Sequence, residues 1–588
     1  MQLTRCLLWV CPLSVVLIHD VFAAKNNHCP PLGPVLPVPT SPNSHPAVQS
    51  AVSMLQETID NITATFNSTA LSIGVKSIHE MAPLVDSHYT PPVLDPRGTS
   101  HIDASTAYRI NGVSKVILMI ALKASGARWE DPVTNYLPRL RELRKQQVST
   151  VDPITTVNWD DITVWALATH TSGIGSDLIR DMGSFPVNWT KLGLPPTHEK
   201  VNCGILGSLP PCHEQDFWDN FGKRSPVFDP YTSPLYSNTA FYILSLVIEA
   251  IAGYPYSKFV KKHVLEPIGT RDTTSAKPND NLGAISLNDT FWNATLGIDE
   301  PAAGYYSSTQ DLLVLGEAIL THRFASPRDT RRWFAPATFT SSVGTFIAAP
   351  WEIIRANNVT SDQRLVQFNT KAGSGGTYHS MFAIVPDYDL VVSILTSGPE
   401  SSNNLVQQLF SQVITTLLPA VESAGKDEAQ TAFAGTYTNE ETNSTLTLSV
   451  DDEGPGLNIT EWIVRGTDIP SHWLNYTSGI SSDLSNIYTS TRLYPTGLTT
   501  GLRTSWRVAV DLGTPDEIAQ ANAQLFWPQS NCVAWATMDR LVYEYRALDE
   551  MIFDSVVGDS GFVAANVELV GFQTTLQRVT PYQNTNEL

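Results

Sequence analysis

The chain is short of charge, and shortest of bases. Charged residues fill 16% of its 588 positions, with 37 Lys and Arg against 57 Asp and Glu. A net charge of -20 excludes nucleic acid and anionic membrane surfaces as partners, because both attract basic proteins. Cysteine is also scarce, at six residues. Their spacings match no metal knuckle, so no metal and no other cofactor is expected. Beyond the N-terminus no apolar run is long enough to cross a bilayer. The polar end Asn586-Glu-Leu588 carries no lipid-anchor signal. Repeats of solenoid period are lacking, which excludes array architectures.

What is present begins with a leader. Arg5, an apolar run over residues 6–18 and the small residues Ala23 and Ala24 read as a signal peptide, residues 1–23. The mature chain is therefore expected to be secreted and to have no membrane span. Cys6 and Cys11 leave with the leader. Cys29, Cys203, Cys212 and Cys532 remain, an even number in an oxidising compartment. Four cysteines permit three pairings. We expect Cys203–Cys212 across a Gly/Pro-rich loop, and Cys29–Cys532 tying the N-terminus to the last domain. Acceptor sites for N-glycans occur at Asn61, Asn67, Asn188, Asn288, Asn293, Asn358, Asn443, Asn458 and Asn475, a density that suits a secreted glycoprotein.

The length allows two or three domains. Residues 24–45 are proline-rich and read as an extended segment. Residues 46–421 mix helical and strand patterns. Val48, Val52, Leu55 and Ile59 share a helical face, residues 70–76 alternate as a strand, and 378–385 with 390–396 read as a hairpin. A closing helix is expected over 405–418 and a polar linker over 422–431. Residues 432–588 show short alternating runs between Gly, Asn and Asp clusters, the pattern of an all-β barrel or sandwich. The long loop 176–231 carries Phe217, Trp218, Phe221 and Phe228, which either line a cleft or pack the loop.

One stretch organises the rest. Residues 108–126 read as an apolar helix with Asn111 as N-cap and Gly126 as its stop. Lys115 falls in its first turn, where a buried ammonium is costly unless paired. Further along come His170-Thr-Ser-Gly173, Tyr236-Ser-Asn238 at the head of another apolar helix, and Lys371-Ala-Gly-Ser374 before the hairpin. Over residues 45–420 this order resembles the serine β-lactamase and penicillin-binding-protein superfamily, in particular class C-like esterases and peptidases. The C-terminal β pattern resembles that of fungal members.

The resemblance implies an α/β (α+β) fold of the β-lactamase/transpeptidase type: an antiparallel sheet flanked by helices, here with an added all-β domain. It also implies acyl transfer by a serine, with Lys115 and Tyr236 as the acid/base pair. Asn238 would orient substrate and lysine, Lys371 would favour Tyr236 as phenolate or bind a substrate carboxylate, and the amides of Gly112 and Ser374 would hold an oxyanion. Ala372 replaces the usual threonine, and His170 is expected to be structural.

The departure lies at position 112. The family's nucleophilic serine stands three residues before the motif lysine, where this chain has Gly112. Ser114 does not substitute, since neighbouring helical residues point about 100° apart. Three readings follow. The first is a degenerate hydrolase working on a small organic molecule, such as a secondary metabolite, by non-covalent acid/base catalysis. The second is a non-catalytic ligand-binding protein. The third is a serine esterase or amidase using another serine.

Overall fold

The computed structural model describes residues 28–145, 152–185, 187–199, 201–204, 209–479, 489–527, 532–558 and 561–579. The expected signal peptide lies outside them. The described chain opens on the proline segment, then enters helix α1 (Pro46–Thr63), whose Val48, Ala51, Leu55 and Ile59 are buried at helical spacing. Strands β1 (Ala70–Ser77) and β2 (Val85–Tyr89) follow. Helices α2 (Ser114–Ala124), α3 (Asn238–Ala252) and α4 (Thr309–Leu320) come next, each apolar enough to be buried almost all round. Then come β3 (Thr338–Phe339), β4 (Thr345–Ile347), β5 (Glu352–Ala356), β6 (Val366–Gly375), β7 (Tyr378–Val385) and β8 (Leu390–Ser397).

These strands form one antiparallel sheet in the order β2-β1-β8-β7-β6-β5-β4-β3. The N-terminal hairpin thus pairs with the last strand of the domain inside the sheet, where Ile73 pairs with Ile394. One face packs on a core containing α2, α3 and α4; the other packs on α1 and the closing helix α5 (Asn403–Phe433). No single described helix is long and apolar enough to cross a membrane.

The polar linker expected over 422–431 is absent. Helix α5 runs unbroken over Asn403–Phe433, straight through Pro419. The polar run suggested a break, but the apolar stripe continues in Val421, Ala424, Ala429 and Phe433, all buried. Tertiary packing of that stripe offsets the one lost backbone bond and ring clash. The helix therefore belongs to two cores. Its first half covers the sheet; its last turn drives Phe433 between Trp506 and Phe553, at 4.9 and 5.2 Å.

That second core belongs to the C-terminal domain. Its strands are β9 (Gly435–Asn439), β10 (Ser444–Ser449), β11 (Leu457–Val464), β12 (Thr467–Asp468), β13 (Thr489–Thr500), β14 (Arg503–Leu512), β15 (Glu550–Gly558), β16 (Gly561–Leu569) and β17 (Thr574–Arg578). They run β10-β9-β17-β16-β15-β14-β13-β11-β12, and an added β10–β11 pairing closes all but the short β12 into a barrel. Closure removes the free edges an open sheet would expose.

Both expected disulfides are present, with Cα separations of 4.9 Å for Cys29–Cys532 and 4.8 Å for Cys203–Cys212. Of the expected glycan acceptors, Asn458 on β11 and Asn475 in a short helix are only half-exposed, a poorer fit to a glycan. The other seven are exposed. Phe217, Trp218 and Phe221 are buried and pack the long loop, while Phe228 is exposed.

Candidate active site

Three pieces of backbone converge on one side of the sheet. The first is the turn into α2. Asn111 is not the cap expected: it sits at φ 46°, and its Nδ2 donates to Tyr378 O at 3.0 Å. That bond pins a 3-10 turn over Asn111–Val113, and α2 proper starts at Ser114. The second is the head of α3, where Ser237 Oγ caps the helix by accepting from the Ala240 amide at 3.0 Å. Tyr236 immediately precedes the cap and Asn238 opens the helix. The third is β6, whose pairing with β5 stops at Thr370. Lys371 to Gly375 therefore leave one edge free, facing α2.

Lys115 is fully buried. Its Nζ donates to Asn238 Oδ1 at 2.6 Å and to Ala302 O at 3.1 Å, and lies 4.8 Å from the ring centre of Tyr236. Asn238 is held in turn, its Nδ2 donating to Asp177 Oδ1 at 2.8 Å. Lys371 is 1% exposed; its Nζ donates to Glu352 Oε1 at 2.5 Å and sits 5.2 Å from the same Tyr236 ring. Tyr236 remains 43% exposed, so the two buried ammonium groups meet a tyrosine that solvent and small molecules can reach.

Burial alone would push the Tyr236 phenol up. The charges of Lys115 and Lys371, with hydrogen bonding from Lys115, outweigh it and hold the phenol below its ordinary value. Burial likewise opposes charge on Lys371, but Glu352 and Tyr236 prevail and hold its ammonium above the usual range. His170 stacks on the Tyr236 ring at 4.6 Å, and its Nδ1 accepts from the Ser237 amide at 3.1 Å. Desolvation, then Lys115 and Lys371, hold its imidazole well below the usual value, so it is neutral. It supports the tyrosine, in line with a structural role.

Position 112 is crowded rather than vacant. A Cβ placed on Gly112 would lie 2.5 Å from Ala372 O and 3.3 Å from Tyr236 Oη. The β6 backbone approaches the α2 turn more closely than any side-chain-bearing residue allows. Ser114 is fully buried, and its Oγ accepts from the Tyr305 amide at 3.2 Å, away from the tyrosine. Ser374 is exposed. Strand alternation puts its amide on the same free edge as that of Ala372, which donates to Glu352 Oε2 at 3.1 Å.

Sequence reasoning missed Glu352 and Asp177, the partners of Lys371 and Asn238. A lone acid inside the apolar stretch 348–354 was the available signal for Glu352. It also missed Asp299, 3% exposed, whose carboxyl is raised to about 7 by burial and by Asp177, against the lowering charge of Lys115.

With this arrangement in view, comparison places the chain. A family model described as beta-lactamase matches residues 75–409, more than half its length, and the chain belongs to that family. A second model, described as a beta-lactamase-like C-terminal domain, matches residues 425–580. A beta-lactamase-like protein of Arthroderma benhamiae is 26% identical over 93% of this chain and 95% of its own. A probable hydrolase of Phoma sp. is 28% identical over 96% of this chain and 93% of its own. Among solved structures, a class C beta-lactamase aligns at 13% identity with a TM-score of 0.45, over 63% of this chain and 95% of that one.

Proposed function

We propose that this β-lactamase-family hydrolase-like protein is secreted and acts on a small organic molecule, such as a secondary metabolite, without forming an acyl-enzyme. Tyr236, whose phenolate form is favoured by two ammonium groups, takes a proton in that form from a carbon next to a carbonyl or from a water molecule. Lys115 returns one, Asn238 and Lys371 orient the substrate, and the amides of Gly112 and Ser374 steady the oxyanion that develops. Isomerisation, cyclisation, elimination and water-mediated hydrolysis all fit this set. The observation that carries the reading is the half-exposed Tyr236, its phenol held below the ordinary value by Lys115 and Lys371, next to a position occupied by glycine.

The test compares the small-molecule profile of cultures making the native chain, Lys115→Ala or Tyr236→Phe. Each variant should abolish the product; identical profiles in all three would refute the reading. A second reading, a non-catalytic ligand-binding protein, draws on the crowding by Ala372 O, and it predicts saturable ligand retention without product. The third, a serine esterase or amidase, suffers from the engaged and buried hydroxyl of Ser114. Labelling of Ser114 by a fluorophosphonate probe would revive it.

A further inference from the structure

A second cavity lies apart from the cleft. It encloses about 710 Å³ between the proline segment, the outer strands of the sheet and the C-terminal domain. That volume suits a small-molecule ligand. Its position along β6 separates it from the catalytic residues: Gln367 lines it and stands four residues before Lys371, about 13 Å at the rise of a strand.

The lining has an unusual charge pattern for so acidic a chain. Arg331, Arg355 and Arg364 face it against a single carboxylate, Asp387. Arg364 takes that carboxylate at 3.5 Å, together with Asp362 at 3.7 Å and the Tyr388 hydroxyl at 2.7 Å. Arg331 and Arg355 have no ion pair or side-chain hydrogen bond among the described residues, although Arg355 is half-buried. A partly desolvated guanidinium presents several donors in a fixed fork and pairs best with a carboxylate or a similar oxyanion. Most of the remaining wall is apolar, including Pro30, Pro34, Phe334, Pro336, Leu365 and Trp535. The Cys29–Cys532 disulfide joins the two walls contributed by the chain ends.

We propose that this cavity is a binding site for an amphipathic organic monoanion, its carboxylate held by Arg355 and Arg331 and its aliphatic or aromatic body seated among the prolines, Phe334 and Trp535. The test is isothermal titration calorimetry of the full-length secreted protein with sodium decanoate and with 4-phenylbutyrate. At least one should bind saturably, and decanol should bind at least roughly tenfold more weakly than decanoate, since it lacks the charged partner. Arg355→Gln should weaken binding by a similar factor. Lys371→Met should leave it unchanged, which separates this site from the lysines of the cleft. Circular dichroism verifies the fold of each variant. Should Arg355→Gln fail to fold, the exposed Arg331→Gln takes its place with the same direction of change. Absence of saturable binding by both anions, binding indifferent to the arginine variant, or binding lost with Lys371→Met would each overturn the proposal.

Discussion

Gly112→Ala is the substitution whose outcome the structure fixes most sharply. Gly112 is not in the left-handed region, so backbone strain is not at issue, and alanine there would ordinarily stabilise by about 0.4–1 kcal/mol through the unfolded chain. Here the new methyl would sit 2.5 Å from Ala372 O, where real contacts essentially never fall below 3.0 Å, so the carbonyl must retreat by about half an ångström. It is not free to do so. Ala372 O accepts from Lys371 Nζ at 3.0 Å, and the Ala372 amide is bound to Glu352. Overpacking against a fixed backbone costs about 1–3 kcal/mol, so the net effect is a loss of about 1–2 kcal/mol. In a domain of this size that is a fall of about 1–3 °C in Tm. Differential scanning calorimetry reads it directly. An unchanged or raised Tm would show that β6 does not press on position 112, and the argument for a remodelled nucleophile site would go with it.

Three further outcomes follow from the packing. Replacing both Cys203 and Cys212 by serine opens a loop with a sequence separation of 9, which costs about 3 kcal/mol in loop entropy and is read as a lower denaturant midpoint. Phe433→Ala removes the ring that α5 inserts into the barrel, at about 3–5 kcal/mol, and should unfold the C-terminal domain first in limited proteolysis. Glu422 is 6% exposed on α5, and burial together with Asp362 raises its carboxyl to about 7. A raised acid binds its proton more tightly in the folded state, so its contribution declines as pH rises from the ordinary carboxylate range towards 7. Glu422→Gln should therefore gain up to about 3 kcal/mol over the native chain at pH 8 and nearly nothing at pH 4, measured by urea melts at both.

Much of the β-lactamase-family domain was legible because it is written locally. The apolar helices, the hairpin and the spaced Lys115, Tyr236, Asn238 and Lys371 each leave a pattern within a few residues, and the structure brings all four together. The contacts that remained hidden are tertiary. Glu352 meets Lys371 across paired strands, and Ala372 O reaches Gly112 from a segment far along the chain. Neither proximity has a sequence period to betray it. The run 422–431 was misread for the opposite reason. Its local signal, a string of polar residues, points to a linker, while the buried Ala424 within it and Val421 and Phe433 on either side decide for helix. Whether the C-terminal strands formed a barrel or a sandwich was undecidable from alternation alone, since the β10–β11 pairing that closes the ring is a question of register.

The central claim is that a proton-handling phenol persists beside the glycine at position 112, and the direct measurement is the titration of Tyr236 itself. Carbon-13 NMR of protein labelled at tyrosine Cζ, with the resonance assigned by its loss in Tyr236→Phe, follows that one phenol across pH. The account predicts a midpoint below the ordinary tyrosine value near 10, moving upward in Lys371→Met because a positive charge that favours the phenolate has gone. A midpoint at or above the ordinary value, or one indifferent to Lys371, would contradict it.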